Sequence, residues 1–108
     1  MKKKFILSVV IPTLGRDILC LKMILKTRLK IIIVIDRNLR FKKNFIKKYS
    51  KQIKNKNISI IYIKKKISLN RLRYAGAIKT QSKYILFIDD DDNIEIKNIL
   101  ILKKKLQN

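Results

Sequence analysis

The sequence predicts an α/β domain, a mainly parallel sheet of about four strands flanked by helices. Two patterns predict it. Four short apolar runs, at residues 5–11, 31–35, 58–63 and 84–88, are rich in β-branched and aromatic residues and read as buried strands. Between and after them, apolar residues recur three or four apart, which is the helical period. Strands alternating with helices through short linkers argue for right-handed crossovers and hence a parallel sheet.

Each element has its own justification. Residues 5–11 end at Pro12-Thr13-Leu14-Gly15, a strand closed by a turn. Asp17 can cap a helix reaching about residue 28, with Ile18, Leu21, Ile24 (or Leu25) and Leu29 on one side. The second run, 31–35, stops at Asp36. Phe41, Phe45, Tyr49 and Ile53 recur every four residues, so a helix over 41–53 has an aromatic face and a Lys-rich face. Asn55 to Asn57 breaks it before the third strand. Ser68 or Asn70 opens a further helix towards Thr80. The fourth strand follows, and residues 94–106 close as an amphipathic helix. No repeat or Gly/Ser-rich linker divides the chain, so residues 1–108 read as one domain. Four parallel strands make a small sheet, and the domain reads as the first half of a larger one.

Composition narrows the chemistry. Nearly half of the 108 residues are apolar, enough for a core. The net charge of +21 would attract any polyanion. Its Lys is spread along the chain beside abundant Ile and Asn, a bias that an AT-rich genome imposes on any protein, so the charge says little about function. There is no His, which removes imidazole bases and ligands, and Cys20 has no cysteine to pair with. No apolar run approaches the roughly 20 residues of a membrane-spanning helix. Met1-Lys2-Lys3-Lys4 and the run after it imitate an export signal, but Pro12, Arg16 and Asp17 interrupt the pattern. A first strand in a cytoplasmic protein is the expectation.

The densest chemical signal is Asp89-Asp90-Asp91-Asp92 at the end of the fourth strand. Four of the chain's seven acidic residues stand together there. Adjacent carboxylates repel one another unless a cation neutralises them. Ligands of open α/β sheets bind beyond the carboxyl ends of the strands, and hard oxygen donors there suit Mg²⁺ or Mn²⁺ with substrate phosphates. The plainer reading is a solvated turn in which Asp92 or Asn93 caps the next helix. Pro12, Thr13 and Asp36 end the other strands and should meet the acidic run at one rim. With only Gly15 and Gly76 present, neither a P-loop nor a dinucleotide fingerprint exists. Arg71 and Arg73, ahead of the fourth strand, are the candidate phosphate-binding cations.

Three segments together resemble family 2 glycosyltransferases, specifically the nucleotide-sugar-binding half of their GT-A fold. They are residues 8–16 (SVVIPTLGR), 31–36 (IIIVID) and 69–93, where Arg73, Gly76 and Ala77 precede YILFIDDDD. The resemblance spans almost the whole chain. It implies a Rossmann-like GT-A half-domain that binds a nucleoside-diphosphate sugar, a UDP-sugar favoured, with Mn²⁺ or Mg²⁺ as cofactor. Residue by residue, it implies that Pro12 and Thr13 lie against the base and that Asp36 helps hold the nucleoside. Arg73 contacts the nucleotide. Asp89 and Asp91 form the Asp-x-Asp pair, Asp91 as direct metal ligand and Asp89 nearer the ribose, with Asp92 a further acidic position. Arg37 and Tyr74 depart from the family's usual residues at their positions.

No catalytic residue is assigned. Inverting members take their general base from an acceptor-binding half that follows the Asp-x-Asp motif, and after Asp92 the only carboxylate is Glu95. The expectation is therefore a truncated donor-binding half, whole only with further sequence or a partner chain. Synthesis of surface polysaccharide or glycolipid is the implied setting. There, Lys42, Lys43, Lys47, Lys48 and Lys51 could rest on the anionic inner face of the membrane. Two other readings compete: a basic nucleic-acid-binding module, favoured by charge alone, and a non-catalytic relic of the glycosyltransferase fold. The first is disfavoured because the aromatics fall in buried-looking runs and no RNA-recognition signature appears; no specific nucleic acid is expected.

Overall fold

The computed structural model describes residues 6–107. The element order is β1 (Leu7–Thr13), α1 (Leu21–Leu25), β2 (Lys30–Asp36), α2 (Leu39–Lys48), α3 (Ser50–Lys54), β3 (Ile58–Ile63), α4 (Leu69–Ala77), β4 (Tyr84–Phe87) and α5 (Ile96–Gln107). All four strands are parallel, in the order β3-β2-β1-β4. This is the Rossmann-like arrangement that the alternating pattern predicts. The reading of residues 1–4, and the start of the first strand at Phe5, lie outside the described residues.

Side-chain alternation sorts the sheet into two faces. Val9, Ile11, Ile31, Ile33 and Ile35 point to one side, where Leu21, Ile24, Phe45 and Ile99 pack from α1, α2 and α5. Val10, Ile32 and Val34 point to the other, against Leu72 of α4. β1 and β2 are buried on both faces, which is why they read as unbroken apolar runs rather than alternating ones. Pro12 lies inside β1 rather than after it. Tyr84 N–H donates to Ile6 and Ile88 N–H to Val10, so even-numbered residues of β1 face β4. The β1–β4 pairing ends at Val10–Phe87, so at Pro12 the missing N–H faces no strand.

Two helices differ from expectation. The first is one short turn, Leu21–Leu25, without a side-chain cap, and Asp17 lies outside it. Residues 14–20 instead form a loop held over the rim, where Leu19 N–H donates to the Asp90 carbonyl (3.0 Å). The helix expected over 41–53 begins earlier and is broken at Tyr49 into α2 and α3. Asn38 caps α2, its Oδ1 accepting from Phe41 N–H at 2.9 Å. The aromatic ladder nevertheless survives the break, with Phe45 and Tyr49 ring centroids 4.6 Å apart.

The close approach of α4 to the sheet depends on Gly76. A Cβ there would run into Val10 Cγ1 and lie 2.9 Å from Val34 Cγ2, both in the sheet below. Gly76→Ala is accordingly expected to cost about 1–3 kcal/mol by overpacking, read as a lower midpoint in urea or thermal unfolding. An unchanged midpoint would mean that α4 sits further from the sheet.

Candidate functional site

The chain runs outward from β1 to β2 and β3, then returns past β1 to β4. The order therefore reverses between β1 and β4, and the crevice beyond their carboxyl ends is where such sheets bind ligands. The loops over this crevice are residues 14–20 and 88–95. A cavity of about 340 Å³ lies here, and its walls include Pro12, Thr13, Arg16, Asp36, Asp89 and Asp91. Five of the seven predicted site residues thus line one cavity. The other two, Arg73 and Asp92, attach to it through Asp89.

The acidic run does not point one way. Asp89, Asp91 and Asp92 each bring a carboxylate oxygen into a group spanning no more than 4.8 Å. Asp92 also closes the turn on itself: its Oδ2 accepts from Asp89 N–H (2.8 Å), and its own N–H donates to Asp89 O (3.1 Å). It does not cap the following helix, which starts at Ile96. Asp90 turns inward instead and is buried. Its Oδ2 accepts from the Thr13 hydroxyl at 2.7 Å, and its Oδ1 forms an ion pair with Arg16, whose Nε lies 3.0 Å away.

Thr13 holds the opposite loop as well as Asp90. Its Oγ1 also accepts from Gly15 N–H (3.1 Å), and Gly15 has a φ of 114°, where a side chain is strained and a Cβ would strike Asn38. Asn38 in turn donates from Nδ2 to the Leu14 carbonyl, so the cap of α2 also braces this loop. Arg73, on α4, donates from Nη2 to Asp89 Oδ1 at 3.1 Å. Its Nε is buried with no acceptor. The start of α4 is fixed by Ser68, whose Oγ accepts from Arg71 N–H; Tyr74, which departs from the family pattern, is exposed and takes no part in that cap.

Asp36 meets the consequence of the other departure. Arg37 has a φ of 56°, and its Nε and Nη2 reach back to Asp36 Oδ1 and Oδ2 at 2.9 and 3.4 Å. Both oxygens of this buried carboxylate are therefore engaged by a neighbouring guanidinium.

A larger hollow, about 530 Å³, lies over Leu21, Phe41 and Phe45 on the far side of the 14–20 loop. Asp17 is its one lining carboxylate and no predicted site residue reaches it, so size does not locate the chemistry here. Cys20 is not a candidate nucleophile or ligand. Burial pushes its thiol up from the ordinary value, with the Asp92 charge adding in the same direction.

A parallel α/β sheet with convergent carboxylates at its switch point defines a class of ligand-binding domain. The particular family follows from the sequence comparison. The chain belongs to glycosyl transferase family 2, whose profile matches residues 8–108. No curated protein matches it. The fold accords with the nucleotide-sugar-binding half of a GT-A domain, and the Asp89, Asp91 and Asp92 group is one that could hold a divalent metal.

Reading the sequence missed two residues of this site, Asp90 and Arg16. The four aspartates carry no mark to say which one turns inward. The opposing hydroxyl and guanidinium, 77 and 74 positions away, become visible only when the sheet brings the two loops together. Thr13→Val keeps the β-branched shape but removes the donor to Asp90. It should lower stability by about 1–2 kcal/mol, with Thr13→Ser nearly unchanged, by thermal unfolding. Equal stability of the Val variant would show that the hydroxyl does not tie the loops.

Proposed function

We propose that this domain binds a nucleoside-diphosphate sugar, a UDP-sugar favoured, for glycosyl transfer. The observation that carries the reading is the group of three carboxylate oxygens from Asp89, Asp91 and Asp92 at the switch point of a family 2 glycosyltransferase sheet. The donor set is all hard oxygen, which suits Mn²⁺ or Mg²⁺ rather than a softer ion. Asp91, the most exposed of the run, is the leading ligand, with Asp92 and Asp89 beside it. When bound, the ion would supply Lewis-acid stabilisation of the departing diphosphate.

The chain's own residues divide the remaining work. Pro12 and Thr13 form the wall for the base, and Asp36 holds the nucleoside in exchange with Arg37. Asp89 is the carboxylate nearest the ribose. Arg73 contacts the nucleotide, and its buried Nε supports this, because a donor without an acceptor is costly until a ligand oxygen or water meets it.

Transfer also needs an acceptor-binding half and a general base within reach of the acceptor hydroxyl. In this reading they come from further sequence or from a partner chain. No helix among the described residues is long and apolar enough to cross a membrane. A cytoplasmic domain resting on the inner face of the membrane through the Lys-rich side of α2 would suit an acceptor destined for surface polysaccharide or glycolipid.

Calorimetric titration of UDP at about 0.15 M salt, where surface charge is largely screened, tests the donor site. Binding should require Mn²⁺ and should be lost in Asp91→Asn. Binding that ignores both the ion and the substitution would mean that the lysine surface is collecting phosphate, and the carboxylate group would then be a relic.

A further inference from the structure

The proposed site poses an electrostatic problem. A diphosphate has to enter a cavity whose walls include the carboxylates of Asp36, Asp89, Asp90 and Asp91. Asp36 is already compensated by Arg37, and the Asp89, Asp91 and Asp92 group is where a cation would sit. The chain's excess positive charge does little here, because Arg16 is the one cation among the lining residues. Arg73, one of the two cations singled out from the sequence, is not part of that lining and pairs with Asp89 at its edge.

The state of Arg16 is unusual for a surface arginine. Its guanidinium is exposed, yet it is ion-paired with the buried carboxylate of Asp90, Nε lying 3.0 Å from Oδ1. Among the described residues no acceptor takes its Nη hydrogens. An arginine that meets its carboxylate on the Nε side keeps its terminal fork free, and that fork matches phosphate oxygens in pairs. Asp90 has two further contacts of its own. Thr13 donates to its other oxygen, and its carbonyl accepts from Leu19 N–H. The pair thus places an oriented cation, carried by the β1 loop, opposite an acidic group carried by the β4 loop.

We propose that Arg16 is the phosphate-binding cation of this cleft and that Asp90 is the positioning residue that aims it. This rests on the donor-site reading above and assigns a residue which that reading leaves out. The arrangement also explains why an aspartate stands between two ligand candidates: its charge compensates Arg16 without joining the metal group.

The test compares wild type with Arg16→Ala, Arg16→Gln and Asp90→Asn. UDP and pyrophosphate are titrated in the presence of Mn²⁺, and Mn²⁺ affinity alone is followed by electron paramagnetic resonance. The Gln variant retains a donor for Asp90 and keeps the test valid should the Ala variant unfold. Losing a charge-assisted phosphate contact should weaken UDP and pyrophosphate alike by about tenfold. Mn²⁺ affinity alone should stay at the wild-type value in both Arg16 variants. Asp90→Asn should weaken the same two ligands by a smaller factor. Unchanged UDP affinity in the Arg16 variants would overturn the assignment, as would an equal fall in Mn²⁺ affinity, which marks a merely structural role. Unchanged UDP affinity in Asp90→Asn would remove the positioning role. Failure of the underlying reading looks different: wild type itself would show no Mn²⁺-dependent UDP binding.

Discussion

A single buried carboxylate, that of Asp90, joins the two loops that make the switch-point crevice a site. The loop after β1 and the loop after β4 belong to strands that are neighbours in the sheet but distant in sequence. Strand pairing ends at Val10 and Phe87, so ladder hydrogen bonds cannot fix what lies beyond. Thr13, Arg16 and Leu19 all reach Asp90 across that gap. A carboxylate taken out of water must be paired and hydrogen-bonded; Arg16 and Thr13 do this for the Asp90 side chain, while Leu19 meets its backbone carbonyl. Its neighbours Asp89, Asp91 and Asp92 instead gather as a separate group of carboxylates.

The distribution of charge follows the same logic. Asp36 ends β2, and Asp17, Asp89 to Asp92 and Glu95 each follow a strand and precede a helix, so all lie on the carboxyl side of the sheet. Lysines and arginines are spread over the whole molecule, including the opposite end. A chain of net charge +21 therefore presents its negative charge in one region. That contrast, more than the size of the charge, separates a crevice that could hold a cation from a polyanion-binding surface. Asp89 to Asp92 would repel a nucleic-acid backbone at the very place where the fold invites a ligand.

Much of this was legible in the sequence, and what was not has identifiable causes. The strands of the core were legible because burial on both faces demands unbroken apolar runs, as in Ile31 to Ile35. Pro12, Thr13, Asp36, Asp89 and Asp91 could be placed at one rim because strand ends in a parallel sheet converge by topology. The helix ends were harder to read. Their usual signal is glycine in the left-handed region, but here Arg28 and Lys56 occupy it, with φ of 60° and 65°. With no glycine to mark the stop, the first helix reads as reaching residue 28, although it ends at Leu25. The break at Tyr49 was hidden because the aromatic period continues through it. The inward turn of Asp90 was illegible for another reason. It depends on a contact between residues far apart in the chain, and four identical side chains offer no local cue.

The proposed chemistry turns on where a divalent ion sits. Uniformly ¹⁵N-labelled protein titrated with Mn²⁺ in the presence of UDP would map it by paramagnetic broadening of amide signals. Loss of signal should centre on residues 89–92, extend to Thr13 and Arg16 across the crevice, and spare the outer face of α2. Broadening centred elsewhere, or spread evenly over the surface, would contradict the proposed site and with it the account of the fold as a device for holding metal and diphosphate together.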